Sequence, residues 1–274
     1  MAPAKAIHKL KDGALHITYC HSPTHYYWQR YDEYLKEPGF GMLNPIARGG
    51  LRVLGGPMRK WDYKVAQRPD VLVANSTHIQ KKIKEYYNRD SVVVFPPVDI
   101  ERFAQTKQLK RHGLVVSGRQ VPYKRFDLAI QAAIKLGVPL TVSGTGPMNE
   151  KLRALAHGHE NITFVSGLTD KEIPKLIGSA ELLLFPGVED FGIVPVEAMA
   201  AGTPVVAYGE GGALDYITDE TGLLFDSQTV DSLANAITVA LNTKWNHQKI
   251  AESAQRFNKK QFEQEILNVI SANL

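Results

Sequence analysis

The sequence has 274 residues, a formal net charge of +4 and 44% apolar residues. This length accommodates two ordinary domains, and the apolar share allows a substantial core. The single cysteine, Cys20, excludes a disulfide framework and a cysteine-based zinc module, and it favours a reducing compartment. We therefore expect a cytoplasmic protein.

The positive charge lies in the first part of the chain. Residues 1–108 contain 17 Lys and Arg against 10 Asp and Glu, a net of +7, whereas residues 109–274 contain 15 against 18, a net of −3. A basic surface suits an anionic acceptor, a membrane surface or nucleic acid, and it is also compatible with simple solvation. No nucleic-acid recognition module is evident, so we expect no nucleic-acid partner and consider peripheral contact with the inner face of the membrane.

The first part of the chain contains few regular elements. We predict three strands and two helices, in chain order a strand at 14–20, a helix near 51–65, a strand at 71–76, a helix at 77–87 and a strand at 91–99. The polar and basic segment 100–112 that follows is predicted to be an interdomain linker.

From residue 114 onward, short apolar strands alternate with amphipathic helices. The strands are predicted at 114–118, 139–144, 162–167, 180–187 and 203–209. Helices are predicted near 125–136, 148–157, 170–179, 230–241 and 262–274, and a further one has Pro195 in its first turn and ends near Gly202. Continuously apolar strands separated by helices indicate a parallel sheet covered on both faces, which is the doubly wound α/β architecture. We predict a partial first domain over 1–108, a second domain over 109–250 and a helical segment over 251–274 that packs back on the first domain.

A glycine and two cations follow the first strand of the second domain. Gly118, Arg119 and Lys124 lie in the stretch SGRQVPYKR, close to the start of the next helix. A guanidinium, an ammonium and a helix amino terminus together suit a diphosphate. The alternative is that these are ordinary loop charges. The next strand is followed by Gly144 and Gly146, a weaker signal, because every strand-to-helix turn favours glycine.

Two carboxylates follow the strand at 180–187. Glu189 lies in the loop, and Glu197 is predicted in the first turn of the next helix, which contains Pro195. A carboxylate there can accept hydrogen bonds from vicinal hydroxyls, although simple helix capping is the alternative. The amides near Gly192 and Ile193 face an anion between the two acids. Together with the cations, these groups are suited to binding a nucleotide diphosphate sugar.

The chain resembles the retaining glycosyltransferases of family 4, which have the GT-B fold. The resemblance rests on VVSGRQVPYKRFDLAI, GLTDKEIPKLIGSAELLLFPG and EDFGIVPVEAMAAGTPVVA in the second domain, where the Glu-x7-Glu spacing is specific. In the first domain, YCHSPTHYYWQRYDEYL, RKWDYKVAQRPDVLVANSTHIQKKIKEYY and VVVFPPVD are similar to the mannosyltransferase-like members. The implied fold class is α/β of GT-B type, with two Rossmann-like doubly wound domains of which the first is incomplete.

The resemblance implies roles for individual residues. Arg119 and Lys124 neutralise the donor diphosphate, Glu197 binds the ribose hydroxyls, and Glu189 holds the donor sugar with the amides of Phe191, Gly192 and Ile193. Gly167 and Leu168 line the base pocket, Gly118, Gly144 and Gly146 lie near the nucleotide, and His21 and Glu189 act at the reacting sugar. A neutral imidazole at His21 can hydrogen-bond a sugar hydroxyl or stabilise an oxocarbenium charge.

The sequence also gives an expectation about metal. No Asp-x-Asp occurs in it, so the usual carboxylate pair for a divalent ion on a sugar nucleotide is absent. We predict no metal and no cofactor, with the nucleotide sugar as substrate and the cations stabilising the leaving diphosphate.

The resemblance predicts a function in polysaccharide biosynthesis. The implied reaction is retaining transfer of a hexose, with mannose from GDP-mannose slightly preferred, to a saccharide or lipid-linked glycan. Family members have a further segment ahead of YCHSP, so we expect an open sheet edge in the first domain and a chain that completes it. The alternative function is a non-catalytic or partner-dependent fragment that binds nucleotide sugar; a nucleotide-sugar epimerase shares the fold but fits the Glu-x7-Glu spacing less well.

Overall fold

The computed structural model describes residues 5–7, 13–24, 26–36, 41–106 and 109–274. It divides into two compact units, one formed by Met1–Phe95 with Glu263–Leu274 and the other by Pro96–Phe262. No helix of the described residues is both long enough and apolar enough to cross a bilayer.

The described part of the first unit contains a parallel sheet of three short strands. β1 (Ile17–Cys20), β2 (Val71–Ala74) and β3 (Val92–Val93) pair in that order, with β2 in the centre. Its helices are α1 (Tyr31–Lys36), α2 (Asn44–Ala66) and α3 (Thr77–Tyr87). The core is made by side chains of β1 and β2 with one face of α3 and the end of α2: Cys20, Ala66, Leu72, Ala74, Ile79, Ile83 and Tyr87.

Helix α2 is longer than the predicted 51–65. It begins at Asn44, with Pro45 in its first turn, and continues to Ala66. Glycines discourage a helix in water, but Gly55 packs against Tyr31 so closely that a Cβ there would lie 2.8 Å from the ring. Tertiary packing therefore extends the helix beyond what propensity indicates.

A buried carboxylate connects four side chains of the first unit. Asp62 accepts hydrogen bonds from Lys5 at 2.9 Å, Tyr87 at 2.7 Å, Trp28 at 2.9 Å and Thr24 at 3.1 Å. Burial alone would raise the pKa of Asp62, but the hydrogen bonds from Lys5, Tyr87 and Trp28 outweigh it and lower this pKa. The ionised carboxylate therefore holds the segment around Trp28 to α2 and α3.

The second unit contains a larger parallel sheet. Within residues 109–274 its strands are β4 (Leu114–Ser117), β5 (Leu140–Ser143), β6 (Ile162–Val165), β7 (Leu182–Phe185), β8 (Val205–Tyr208) and β9 (Gly222–Phe225). They pair in the order β6-β5-β4-β7-β8-β9. The connection direction reverses between β4 and β7, which is the topological switch point of a doubly wound fold. Both sheets are parallel and both units are α/β, as predicted.

Helices cover this sheet and flank it. The second unit contains α4 (Ile100–Ala104), α5 (Phe126–Leu136), α6 (Asn149–Leu155), α7 (Glu172–Gly178), α8 (Ile193–Ala200), α9 (Val230–Asn242) and α10 (His247–Ser253), and α11 (Lys259–Ser271) begins in it. Apolar faces of α5 and α9 pack on β4, β5, β7 and β8 to form the main core. Strand β9 and helix α10 were not predicted from the sequence.

The structural division differs from the predicted boundaries. The predicted linker at 100–112 contains α4, which buries Ile100 and Phe103 and packs against α8, so this stretch belongs to the second unit. Phe257 lies in the segment predicted to join the first domain, but its ring contacts Phe191 and Tyr216 at centroid distances of 5.7 and 6.1 Å. Only Glu263–Leu274 is grouped with the first unit.

Candidate functional site

The loops after β4, β5 and β6 begin side by side at the carboxyl edge of the second sheet. Ser117 pairs with Ser143, and Ser143 pairs with Val165. Gly118 and Gly144 therefore start neighbouring loops at the carboxyl edge of the sheet. The loop after β7 begins beside them across the switch point, where ligands bind in this architecture.

Lys124 and Glu189 meet across this switch point. The Lys124 ammonium lies 2.9 Å from Oε1 of Glu189, and the side chains are 14% and 20% exposed. Oε1 is buried, and the Lys124 ammonium is the charged group against it. A ligand that separates two largely buried charges has to compensate both of them. The geometry is suited to a ligand that brings hydroxyl groups to Glu189 and an anion to Lys124.

The loop that carries Lys124 has a fixed shape. Pro122–Lys124 forms a single 3-10 turn, and Arg125 then adopts a left-handed conformation with φ of 52° before α5 begins. The β7 loop packs directly on this turn: a Cβ at Gly187 would lie 2.4 Å from the carbonyl oxygen of Tyr123. The two loops therefore form one packed unit at the switch point.

Gly144 and Gly146 hold the loop after β4 in place. A Cβ at Gly144 would lie 2.1 Å from the Gly118 carbonyl oxygen, and one at Gly146 would lie 2.4 Å from that of Gln120. Gly144 also has a φ of 109°, which favours glycine. The buried Gln120 side chain donates to the Gly144 carbonyl and accepts from Asn149. In this structure the two glycines thus contact the loop that bears Arg119 and Lys124.

The loop after β7 ends at the uncapped amino terminus of α8. Gly192 precedes the helix with φ of 89°, and no described side chain caps it. The Tyr216 hydroxyl donates to the Phe191 carbonyl at 2.7 Å, and the Gly212 amide donates to the Glu189 carbonyl at 2.9 Å. Burial, with smaller contributions from Glu189 and Asp215, raises the pKa of Tyr216 well above its ordinary value, so the hydroxyl remains a donor.

We predicted Glu197 in the first turn of α8, but it lies in the second turn. The helix begins at Ile193, two residues before Pro195, because the chain turns at Gly192. Burial raises the pKa of Glu197; Arg102 opposes this shift and Asp99 adds to it. Both neighbours lie at or in α4, the segment predicted to be a linker. Glu197 is therefore a partly desolvated carboxylate rather than a helix cap.

The other predicted residues are placed as follows. Arg119 is exposed, and Gly167 follows β6 with φ of 69° and open space where a Cβ would point. Leu168 is half-buried in the same loop. His21 follows β1 in the first unit, where it is exposed and its ring contacts that of Tyr19 at 5.0 Å. Among the predicted side chains, Lys124 and Glu189 are in direct contact.

Three supporting residues were not predicted from the sequence. Gln120 fixes the loop after β4, and Tyr216 fixes the loop after β7. Gln228 donates to the Pro186 carbonyl at 2.8 Å and accepts from Arg125 at 3.5 Å, so it ties both loops to the segment after β9. Gln120 lies inside the motif SGRQVPYKR but carries no charge, whereas Tyr216 and Gln228 lie far along the chain from the loops that they support and belong to no motif.

A grouping of metal ligands is absent from the described part of the chain. Among those residues no three His, Cys, Asp or Glu side chains lie close enough together to hold a metal ion.

Comparisons with known proteins are consistent with this architecture. The sequence profile of the family described as "Glycosyl transferases group 1" matches residues 97–261. A GDP-mannose-dependent alpha-(1-6)-phosphatidylinositol monomannoside mannosyltransferase from Mycobacterium tuberculosis strain H37Rv is 32% identical over 235 residues, which is 75% of this chain and 58% of that protein. Its counterpart from Mycolicibacterium smegmatis is 30% identical over 231 residues, 73% of this chain and 57% of that protein. The chain thus spans somewhat more than half the length of these relatives.

Solved structures share the fold. Anabaena Alr3699/HepE in complex with UDP has a TM-score of 0.71 at 22% identity, with 93% of this chain and 72% of that chain covered. Sucrose-phosphate synthase from Thermosynechococcus elongatus has a TM-score of 0.68 at 21% identity, with 79% and 61% covered. These similarities confirm the GT-B fold class and the resemblance to family 4. The chain belongs to the group 1 glycosyl transferases.

Proposed function

We propose that this chain is a glycosyltransferase that moves a hexose from a nucleotide diphosphate sugar to a saccharide or lipid-linked glycan. The observation that carries the proposal is the Lys124–Glu189 ion pair at the switch point, which is largely shielded from water. A sugar hydroxyl can donate a hydrogen bond to Glu189, and a diphosphate can accept hydrogen bonds from the Lys124 ammonium.

The leaving diphosphate needs positive charge. Lys124 supplies an ammonium, the exposed Arg119 supplies a guanidinium, and the uncapped amino terminus of α8 supplies amides and a dipole. Groups fixed in position before the reaction stabilise developing charge without reorganisation. We propose that these groups replace a divalent ion, so that transfer proceeds without metal and without a cofactor.

The remaining donor contacts follow from the placement of the loops. We propose that Glu197 accepts hydrogen bonds from the ribose hydroxyls, since its desolvated carboxylate favours a hydroxyl donor. Gly167 and Leu168, after β6, would line the base. Because relatives are named as GDP-mannose-dependent enzymes that act on a phosphatidylinositol mannoside, we propose GDP-mannose as the donor and a lipid-linked glycan as the preferred acceptor.

Retention of the anomeric configuration is also a proposal. In it, the acceptor attacks on the face from which the diphosphate departs, through an oxocarbenium-like transition state. Glu189 and the amides of Phe191, Gly192 and Ile193 would hold the sugar, and His21 would hydrogen-bond one of its hydroxyls. Anomeric configuration of the product, determined by NMR, tests this proposal: an inverted product would overturn it.

The experiment is a titration followed by a turnover assay. Calorimetric titration with GDP and UDP measures binding to the whole chain, and incubation with GDP-mannose and a lipid-linked acceptor measures transfer. Lys124→Ala should weaken GDP binding about 10- to 100-fold, because a hydrogen bond to a charged group contributes about 1.5–3 kcal/mol. Lys151→Ala, on the exposed side of α6, is the matched control. Equal affinity of the two variants would contradict the site.

A nucleotide-sugar-binding module without transferase activity is the second candidate. The observation in its favour is that the predicted donor-binding residues from Gly118 to Glu197 all lie in the second unit. Tight GDP binding with neither transfer nor hydrolysis of GDP-mannose would support the module. Transfer that Lys124→Ala abolishes would support the enzyme.

A further inference from the structure

Helix α2 and the turn before it expose an unusual number of large apolar side chains. Met42, Ile46 and Val53 are 98%, 75% and 73% exposed, and Leu43, Leu54, Trp61 and Tyr63 are exposed as well. Single exposed apolar residues are ordinary, but a contiguous group on one element indicates a binding surface.

The exposed residues of the helix share one side. α2 buries Gly55, Asp62, Val65 and Ala66 against the first unit. Ile46 and Val53 are seven residues apart and lie opposite the buried residues, while Leu54 and Trp61 repeat the same interval on an adjoining row, so the four form one broad exposed face. We name Ile46, Val53, Leu54 and Trp61 the outer face of α2.

The segment that carries the outer face has an excess of positive charge, and α1, which packs on α2, adds the exposed acids Asp32 and Glu33. Residues 41–66 contain five cations, Arg48, Arg52, Arg59, Lys60 and Lys64, and a single acid, Asp62. That acid is fully buried and paired with Lys5. The segment therefore presents an exposed apolar face flanked by three exposed cations, Arg52, Lys60 and Lys64.

We propose that the outer face of α2 binds the surface of a bilayer that contains anionic lipid, with the helix lying in the plane of the interface. A basic amphipathic helix with a tryptophan on its apolar face has the composition of interfacial helices, and each cation adds attraction to anionic headgroups. At about 1.5 Å per residue, the 23-residue helix is roughly 34 Å long, and the outer face from Ile46 to Trp61 covers about 22 Å of it. The inference assigns a surface to the peripheral membrane contact and does not depend on the transferase reaction.

Other occupants fit the chemistry less well. Nucleic acid would satisfy the cations but leave the outer face against phosphate and water. A second copy of the chain would satisfy the outer face, but a two-fold contact through it would bring the same cations of both copies together. A bilayer with anionic headgroups satisfies both features at once.

The test is flotation of the full chain with vesicles of phosphatidylcholine alone and of phosphatidylcholine with phosphatidylglycerol. We expect flotation with the anionic vesicles that decreases as salt rises, because the Debye length shortens. Ile46→Ser with Val53→Ser should reduce partitioning at least ten-fold through the lost apolar burial. Val239→Ser, at a 56% exposed position of α9, is the matched control and should float like the wild type.

Two further variants separate charge from apolar contact. Lys60→Gln and Lys64→Gln should each reduce partitioning about five-fold, and Lys249→Gln should not. Brominated lipid should quench tryptophan fluorescence in the wild type and not in Trp61→Phe. Circular dichroism melting must show that each variant folds; since the substituted side chains are exposed, we expect unchanged melting.

Several outcomes would overturn the proposal. These are an absence of flotation with anionic vesicles, equal flotation with and without anionic lipid, and flotation that the Ile46/Val53 variant retains. A wild type that sediments as a dimer, and a monomeric Ile46/Val53 variant, would assign the face to a second copy instead.

Discussion

The two units of this protein are both parallel α/β structures, but different interactions stabilise them. The second unit buries apolar strands between helices, and its sheet is stabilised by a large hydrophobic core. The first unit has three short strands in its described residues and a smaller core, and its side chains converge on the ionised Asp62. Apolar burial tolerates local change, whereas a buried charge requires every partner. The first unit should therefore be the more fragile.

The largest expected effect comes from breaking the buried network. Asp62→Ala leaves the Lys5 ammonium buried and unpaired, which should cost about 3–5 kcal/mol of unfolding free energy. Asp90→Ala removes an equally short ion pair, 2.9 Å to Lys84, at a 93% exposed side chain and should cost at most about 1 kcal/mol. Urea unfolding followed by tryptophan fluorescence measures both; similar losses would contradict the comparison.

The pH dependence of the first unit follows from the same network. The pKa of Asp62 is lowered, so its stabilising contribution is present above the ordinary value of 3.8 and is lost as pH falls through the folded-state pKa. Acid unfolding of wild type and Asp62→Asn measures this contribution. A variant whose stability falls with acid as steeply as the wild type would show that the contribution lies elsewhere.

The second unit should be most sensitive where its loops touch. Gly144→Ala places a Cβ against the Gly118 carbonyl in a backbone conformation that favours glycine, and it should cost about 3 kcal/mol. Gly158→Ala has a similar backbone conformation, φ of 80°, but open space, and should cost about 1 kcal/mol. Thermal melting compares the two, and GDP binding should weaken only in the first.

A smaller effect is expected at the support of the loop after β7. Tyr216→Phe removes the hydroxyl that donates to the Phe191 carbonyl and should cost about 1–3 kcal/mol, because the acceptor stays buried. GDP-mannose affinity should fall more than GDP affinity, since the loop is proposed to hold the sugar. Equal losses for the two ligands would contradict that role.

The smallest effect on stability is expected at Glu197. Burial raises the pKa of Glu197 above the ordinary value of 4.5, so the unfolded chain loses this proton at a lower pH than the folded chain does. The free energy of unfolding therefore falls as pH rises from about 4.5 through the folded-state pKa. Glu197→Gln removes this fall and should weaken GDP binding about ten-fold through the lost charged acceptor. Glu172→Gln serves as the control. The hydrogen bond from Thr169 lowers the pKa of Glu172, so this residue makes the free energy of unfolding rise with pH instead of fall.

The sequence predicted elements with local signals better than elements that depend on contacts elsewhere in the chain. Short apolar strands and helix signals are local, so the bounds of α3 were predicted correctly from Thr77 to Tyr87, where Ser76 caps one end. The start of α2 was missed because its glycines argue against a helix, while contacts such as Gly55 with Tyr31 favour it. Strand β9 was missed because four residues beginning with glycine carry little signal.

For the site, the sequence indicated which loops share an edge but not which side chains touch. Glu189 and Lys124 were both predicted at the carboxyl ends of parallel strands, a consequence of the architecture. That they form an ion pair depends on the shape of the Pro122–Lys124 turn and on the approach of Gly187. The turn that contains Glu197 was misplaced because Pro195 is compatible with several positions at the start of a helix.

The pairing of Lys124 with Glu189 also bears on how the site selects among anions. A cation that is already neutralised creates a weak field, so a small anion such as inorganic phosphate gains little by displacing the carboxylate. A sugar nucleotide brings a diphosphate to Lys124 and hydroxyl groups to Glu189, so both residues regain a partner when their ion pair is broken. We expect the pair to discriminate between intact donor and the free phosphate of the surrounding solution, which a competition titration with phosphate would measure.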